Sequence, residues 1–208
     1  MSTISSSAVS VDVIALRFDP ESRHVVVATH RRGWAPYAGR LALPGVLLGA
    51  GERIRDASVR ALTKVGATAG DVTGSGQLVT FDEPNRDPRG PTLSIATWAT
   101  LTRPLPEPAI WHPMRELPTL AFDHTRIVAD VLPRLAGGLW RDIELTRGLT
   151  GVEFTAGDAV DLVRELSGAD PDRGNLNRTL AAVPGLRRTD ERRSVKGTGR
   201  PSVVWSWA

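Results

Sequence analysis

The chain has no cysteine, one tyrosine and two methionines in 208 residues. The missing cysteine excludes disulfides, thiolate zinc sites and cysteine nucleophiles. Its four histidines (His24, His30, His112 and His124) show no ligand spacing such as HxxxH, so structural or surface roles are expected of them. No window approaches 18 uncharged apolar residues, which excludes a membrane-spanning helix of the usual kind. The opening MSTISSSAVSVDV lacks a basic segment leading into an apolar one, so no export signal is expected and a cytoplasmic location is. What is present is ordinary for a globular protein: 41% hydrophobic and 24% charged residues, enough to bury a core.

Charge is unevenly spread. Residues 173–208 carry eight basic side chains against Asp190 and Glu191, a net of +6 on a chain whose total is +3. A basic end on an otherwise mildly acidic protein points to a polyanionic partner such as nucleic acid, or to a solvated arginine-rich surface.

The β-branched runs Val11–Phe18 and His24–His30, separated by DPES, read as strands joined by a turn. Ile54, Ala57, Ala61 and Val65 line one face of a helix over Arg53–Val65, which Gly66 ends. Gln77–Phe81 and Leu93–Leu101 read as strands around the loop DEPNRDPRGPT. Arg103–Pro118 holds five prolines in sixteen residues, which bars a helix or a central strand and marks a domain boundary. Beyond it Ala121–Leu135 is amphipathic; Pro133 is expected to end or kink it near its last turn, and Gly137-Gly138 to break it. Thr155 caps a helix over Ala156–Leu166 stopped by Ser167-Gly168, and Asp172 or Arg173-Gly174 starts another over Asn175–Val183. A basic hairpin follows, with ERRSVKGTGRP as its tip and SVVWSW as its second strand. Helix, helix, basic hairpin is the order of a winged helix-turn-helix.

The segment LPGVLLGAGERIRDASVRALTKVGA (Leu43–Ala67) has the outline of a pyrophosphate-cleaving site without its acids. Such cleavage needs divalent ions held by carboxylates, which a helix supplies at adjacent and i+3/i+4 positions. Between Arg53 and Gly70 the one acid is Asp56. Leu43–Ala67 resembles the Nudix box, GX5EX7REUXEEXGU, in its LPG lead, Gly51-Glu52, the seven-residue spacer, Arg60 and Leu62. It departs where Val46 replaces a glycine, Ala61 a glutamate, and Lys64, or Lys64-Val65, the glutamate pair, in a segment one residue short. Lys64 would repel a metal there, and Glu52 with Arg60 reads as a pair holding the loop to the helix. In NRDPRGP, Arg86 and Arg89 flank an Asp-Pro turn; they form either a clamp for phosphate or carboxylate oxygens or a plain solvated turn.

LPTLAFDHTRIVAD (Leu117–Asp130) resembles the LP-x-LAFDH junction of the Nudix-related transcriptional regulator family. The DxxN before the last short helix and the late GRP resemble that family's recognition helix and wing, so the resemblance spans residues 11–207. It implies an α+β chain: a Nudix-like α/β/α sandwich over 1–118 and a linker helix with a winged helix-turn-helix over 119–208. It further implies a homodimeric repressor of NAD biosynthesis or salvage genes, or in some branches of sugar catabolism. The resemblance makes ADP-ribose or a related nucleotide the expected ligand of the sensor domain, and the missing acids lead to the expectation that this domain is catalytically silent, with no metal site and no required cofactor. The ligand residues so expected are Arg32, Gly45, Glu52, Arg60, Arg86, Asp87 and Arg89. Those for a pseudo-palindromic operator are Thr155, Asn175, Asn177, Arg178, Thr179, Arg188, Arg192, Arg193, Lys196 and Arg200. The family's NFRRK run stands here as Asn175–Thr179 with one Arg and the Lys absent, so the operator sequence does not carry over. One rival is a Nudix hydrolase with displaced ligands, Asp82 and Glu83. The other is a binding module whose basic tail meets protein or membrane.

Overall fold

The computed structural model describes residues 7–194 and 201–208. In order, its strands and helices are β1 (Ala8–Asp19), β2 (His24–Arg31), β3 (Leu41–Ala42), β4 (Gly45–Leu47), α1 (Ile54–Leu62), β5 (Val72–Phe81), β6 (Thr92–Leu101) and β7 (Ile110–Pro113). There follow α2 (His124–Gly138), α3 (Ile143–Thr150), β8 (Glu153–Thr155), α4 (Ala156–Ser167), α5 (Arg173–Ala182), β9 (Leu186–Arg193) and β10 (Ser202–Trp207).

The first seven strands form one mixed sheet ordered β3-β2-β1-β6-β5, with β4 on β1 and β7 on β2. β1 runs antiparallel to β2 and parallel to β6, and side chains alternate between its faces. Val13 and Ala15 meet Ala61, Leu62 and Val65 of the α1 segment, while Ile14 and Leu16 join the cluster of Ile127, Val131 and Leu135 from α2. Burial on both faces explains why β1 reads as a continuous apolar run rather than an alternating one. This is the expected α/β/α sandwich. The proline-rich stretch supplies β7, paired with β2 outside the main path of the sheet and closed by Pro113, a place where a missing amide donor is tolerated.

Three local readings are corrected. α1 stops at Leu62, and a single 3-10 turn, Thr63–Val65, completes the segment before Gly66. α2 runs through Pro133 and Gly137 to Gly138, because Ile127, Val128, Val131 and Leu135 are buried and outweigh a proline's cost of about 3 kcal/mol. α3 lies where no helix was expected; Asp142 caps it, accepting from the Leu145 amide at 3.1 Å. It packs on β5 and β6 so closely that a Cβ on Gly148 would lie 2.0 Å from Thr100 Oγ1.

The chain's last third pairs β8-β10-β9 into a small antiparallel sheet beside α4 and α5. Thr155 and Asp158 cap α4 reciprocally, Gly168 ends it left-handed, and Asp172 caps α5 through the Asn175 amide at 2.7 Å. The cap is thus Asp172 rather than Arg173-Gly174. One apolar cluster runs from Ile14 and Trp98 in the large sheet through α2 and α4 to Trp205 and Trp207 in the small one. Polar contacts join the same parts. His24 Nδ1 lies 3.1 Å from Glu165 Oε2, Arg23 pairs with Asp158 and Asp161, and Arg115 donates to the Glu165 and Leu166 carbonyls at the end of α4.

Candidate functional site

Near the start of the apolar run of β1 stands one acid. Asp12, on the face of Ile14 and Leu16, is buried and accepts from Ser94 Oγ at 2.5 Å and Ser10 Oγ at 2.9 Å. Gly45 of β4 is its cross-strand partner, and a Cβ there would lie 2.0 Å from Asp12 Oδ1. Only glycine fits that carboxylate. His124 closes the other side: its Nδ1 accepts from the Leu43 amide at 3.0 Å, which leaves the Nε2 proton facing Asp12 Oδ1 at 3.6 Å. Burial holds the His124 pKa below its ordinary value, with the Asp12 charge opposing.

Around this floor the structure gathers five cations. Arg32, Arg60, Lys64, Arg86 and Arg89 line a pocket of about 280 Å³, together with Asp12, Gly45, Asp87, Trp34, Phe122 and His124. Three of the cations have carboxylate partners. The Arg86 side chain is buried and bidentate to Asp123, at 2.9 and 2.7 Å. Arg89, half exposed, grips Asp87, with its shortest contact at 2.6 Å. Arg60 holds Glu52 through two contacts of 2.8 and 2.7 Å and reaches the Leu47 carbonyl. These bonds, with one from the Gly49 amide, bring the Glu52 pKa down to about 2. The loop-to-helix pairing read for Glu52 and Arg60 is therefore present.

The other two cations are differently placed. Arg32 is buried, donates from Nε to the Pro36 carbonyl at 2.8 Å, and sets its guanidinium 4.6 Å from the Phe122 ring centre. Lys64, on the 3-10 turn after α1, donates to the Gly45 carbonyl and lies 5.6 Å from the centre of the Trp34 ring. Burial first, then the neighbouring cations, lowers the pKa of both, with Asp12 opposing. A cationic, aromatic-walled pocket suits a phosphorylated ligand.

Six of the seven expected ligand residues, Arg32, Gly45, Arg60, Arg86, Asp87 and Arg89, line this pocket. Glu52 does not; Arg60 holds it outside. Arg86 is not a free clamp either, since Asp123 occupies its fork. Sequence reasoning missed Asp12, Trp34, Lys64, Phe122 and His124 as pocket residues. The lone acid in VDVIALRF and the LAFDH string were the available signals. Glu83, named for displaced metal ligation, pairs with Arg126 of α2. Among the described residues no group of three or more His, Asp or Glu side chains is placed to hold a metal ion. Nor is any described helix long and apolar enough to cross a membrane.

The residues expected at DNA divide as well. Asn175, Asn177, Arg178 and Thr179 are exposed on α5, and Arg188, Arg192 and Arg193 are exposed on β9. Arg193 is engaged with Glu153 and Glu191. Thr155 is corrected: it is 3% exposed, its hydroxyl spent on the α4 cap. Lys196 and Arg200 lie outside the described residues.

No family model and no curated protein matches the chain. Solved structures do. NrtR of Shewanella oneidensis in complex with a 27mer DNA is 19% identical, with a TM-score of 0.76 over 96% of this chain and 93% of that one. A MutT/nudix family protein from Enterococcus faecalis is 20% identical, with a TM-score of 0.72 over 99% and 89%. The NUDIX domain of the Shewanella NrtR in complex with ADP ribose is 21% identical, with a TM-score of 0.53 over 64% and 90%. At these identities the likeness is one of fold.

Proposed function

From this Nudix-like, NrtR-like fold we propose that the chain is a ligand-responsive transcriptional repressor. Its sandwich, residues 1–118, senses ADP-ribose or a related nucleotide. Residues 119–208 supply a linker helix and a winged helix that binds a pseudo-palindromic operator as a homodimer, in the cytoplasm, at NAD biosynthesis or salvage genes. The observation that carries the reading is the Arg86–Asp123 pair. Asp123 is the N-cap residue of α2, and α2 packs on α4. A ligand that disturbs Arg86, Phe122 or His124 therefore acts directly on the helix leading to the proposed DNA-binding unit. The C-terminal order of helix, strand, two helices and a two-stranded hairpin supports the winged-helix reading, with α5 as recognition helix and β9–β10 as wing.

Control requires the ligand to prefer one of two arrangements of the dimer, because equal affinity shifts nothing. Support for silence in catalysis comes from Lys64, a cation in the helix segment from which a metal mechanism needs carboxylates. The deciding experiment is binding of the full chain to its own promoter DNA, titrated with ADP-ribose and with NAD. DNA binding that either nucleotide alters is expected. No retention of DNA under low salt would end the repressor reading, and rapid Mg²⁺-dependent cleavage of ADP-ribose would mark a hydrolase instead.

A further inference from the structure

Arg60, Arg86 and Arg89 spend their charge on Glu52, Asp123 and Asp87. Lys64 and Arg32 are the pocket's two cations with no carboxylate within ion-pair distance among the described residues. Lys64 has three donors and uses one, on the Gly45 carbonyl. Arg32 is 8% exposed, and its Nη2 has no partner among the described residues. A buried donor left unpaired is costly, and an acceptor that reaches it relieves the cost. The surrounding cations add to the effect of burial: the Arg32 charge lowers the Lys64 pKa, and the Arg89 charge lowers that of Arg32.

On the reading that the pocket takes a nucleotide, we infer that Lys64, with Arg32, is the built-in counter-charge for its diphosphate, so that binding needs no divalent ion. In a metal-dependent site of this outline the acids at the end of α1 recruit Mg²⁺, and the ion neutralises the phosphates. Here the same turn delivers an ammonium group, covalently tethered and already inside the pocket. With Arg60, Arg86 and Arg89 offset by Glu52, Asp123 and Asp87, the unspent charge in the pocket is that of Lys64 and Arg32 less that of Asp12, a net of +1 that favours an anionic ligand. The ligand class is accordingly a nucleoside diphosphate or its diester, in free rather than Mg²⁺-complexed form. Mg²⁺ should compete for the phosphates instead of helping.

Calorimetric titration of the full chain with ADP-ribose, in EDTA and in millimolar Mg²⁺, tests this. Equal or tighter binding in EDTA is expected, with AMP much weaker. Lys64→Met should weaken ADP-ribose on the order of tenfold or more, the loss of one charge-assisted hydrogen bond, and Lys64→Arg should recover most of it. The melting temperature of Lys64→Met without ligand should equal or exceed the parent's, because a half-buried cation has been removed; this separates a ligand-binding role from a structural one. Binding that requires Mg²⁺, or unchanged affinity in Lys64→Met, would overturn the inference and leave the sensor reading intact. No nucleotide binding under either condition would remove both.

Discussion

Arg86 and Arg89 sit three residues apart on one loop and carry different loads. Arg86 is 5% exposed and its pair with Asp123 is nearly dry, so Arg86→Ala strands a carboxylate and should destabilise the fold by about 3 kcal/mol or more. Arg89 is 49% exposed, and its pair with Asp87 is worth correspondingly less to folding. Arg89→Ala should mainly weaken nucleotide binding, by about 1.5–3 kcal/mol. Urea melts beside calorimetry would separate the two; equal loss of stability would refute the division. His124 carries a pH dependence. Its folded pKa lies below the ordinary 6.5 through burial, and His30 and His112 are lowered by burial too. The unfolded chain therefore takes up protons first as pH falls. The stabilisation is whole above about pH 6.5 and is lost progressively below it, as pH falls towards and through the folded value. Urea midpoints should drop from pH 7.5 to 5.5, and His124→Asn should shrink that drop; an unchanged drop would assign it elsewhere.

Helices and strands show the same division between local and distant causes. Reciprocal capping by Thr155 and Asp158 starts α4, and Asp172, accepting from the Asn175 amide, starts α5; Thr155 was readable from the sequence, which left Asp172 as one of two candidates. α3 was not anticipated: its β-branched Ile143, Thr146 and Thr150 and its Gly148 are weak helix formers, and the tight seat of Gly148 on Thr100 is visible only in three dimensions. On α5 the exposed Asn177 and Arg178 offer donors suited to base edges, whereas Arg188 and Arg192 of β9 suit phosphates. Arg178→Ala is expected to cost roughly 1–3 kcal/mol and to blur specificity at one base pair per half-site. Arg192→Ala should weaken all sequences alike and lower the salt slope by about one. Salt titrations on operator and random DNA distinguish these, and uniform weakening by both would mean the recognition helix is misassigned.

At the scale of the molecule, the two sides of the proline-rich stretch share one apolar core. The apolar cluster from Ile14 to Trp207 is continuous, and α4 is bound to the β2 turn through Arg23 and His24 and to Arg115 beyond β7. Thermal unfolding should therefore be a single cooperative transition. Fluorescence, far-UV dichroism and calorimetry should coincide; two resolved transitions would show that the junction contributes little. The same continuity lets an event at the Asp123 end of α2 reach α4 without a long path of intermediates.

What the sequence alone determined is what neighbouring residues decide: the strands β1, β2, β5 and β6, the helices α1, α4 and α5, the Thr155 cap of α4, the cationic C-terminal stretch and the missing acids after Arg53. Period, capping chemistry and charge are properties of residues a few positions apart, so they are legible in the string. Tertiary structure alone decided the pocket. Asp12, Gly45, Lys64, Arg86 and His124 come from five separate segments, and the parallel pairing of β1 with β6 and the docking of α2 bring them together. It also decided which charges are already spent. Arg86 and Lys64 look alike in sequence as basic residues near a loop, yet one is neutralised by Asp123 and the other is left facing an open cavity, because only the folded chain sets the distance between charges.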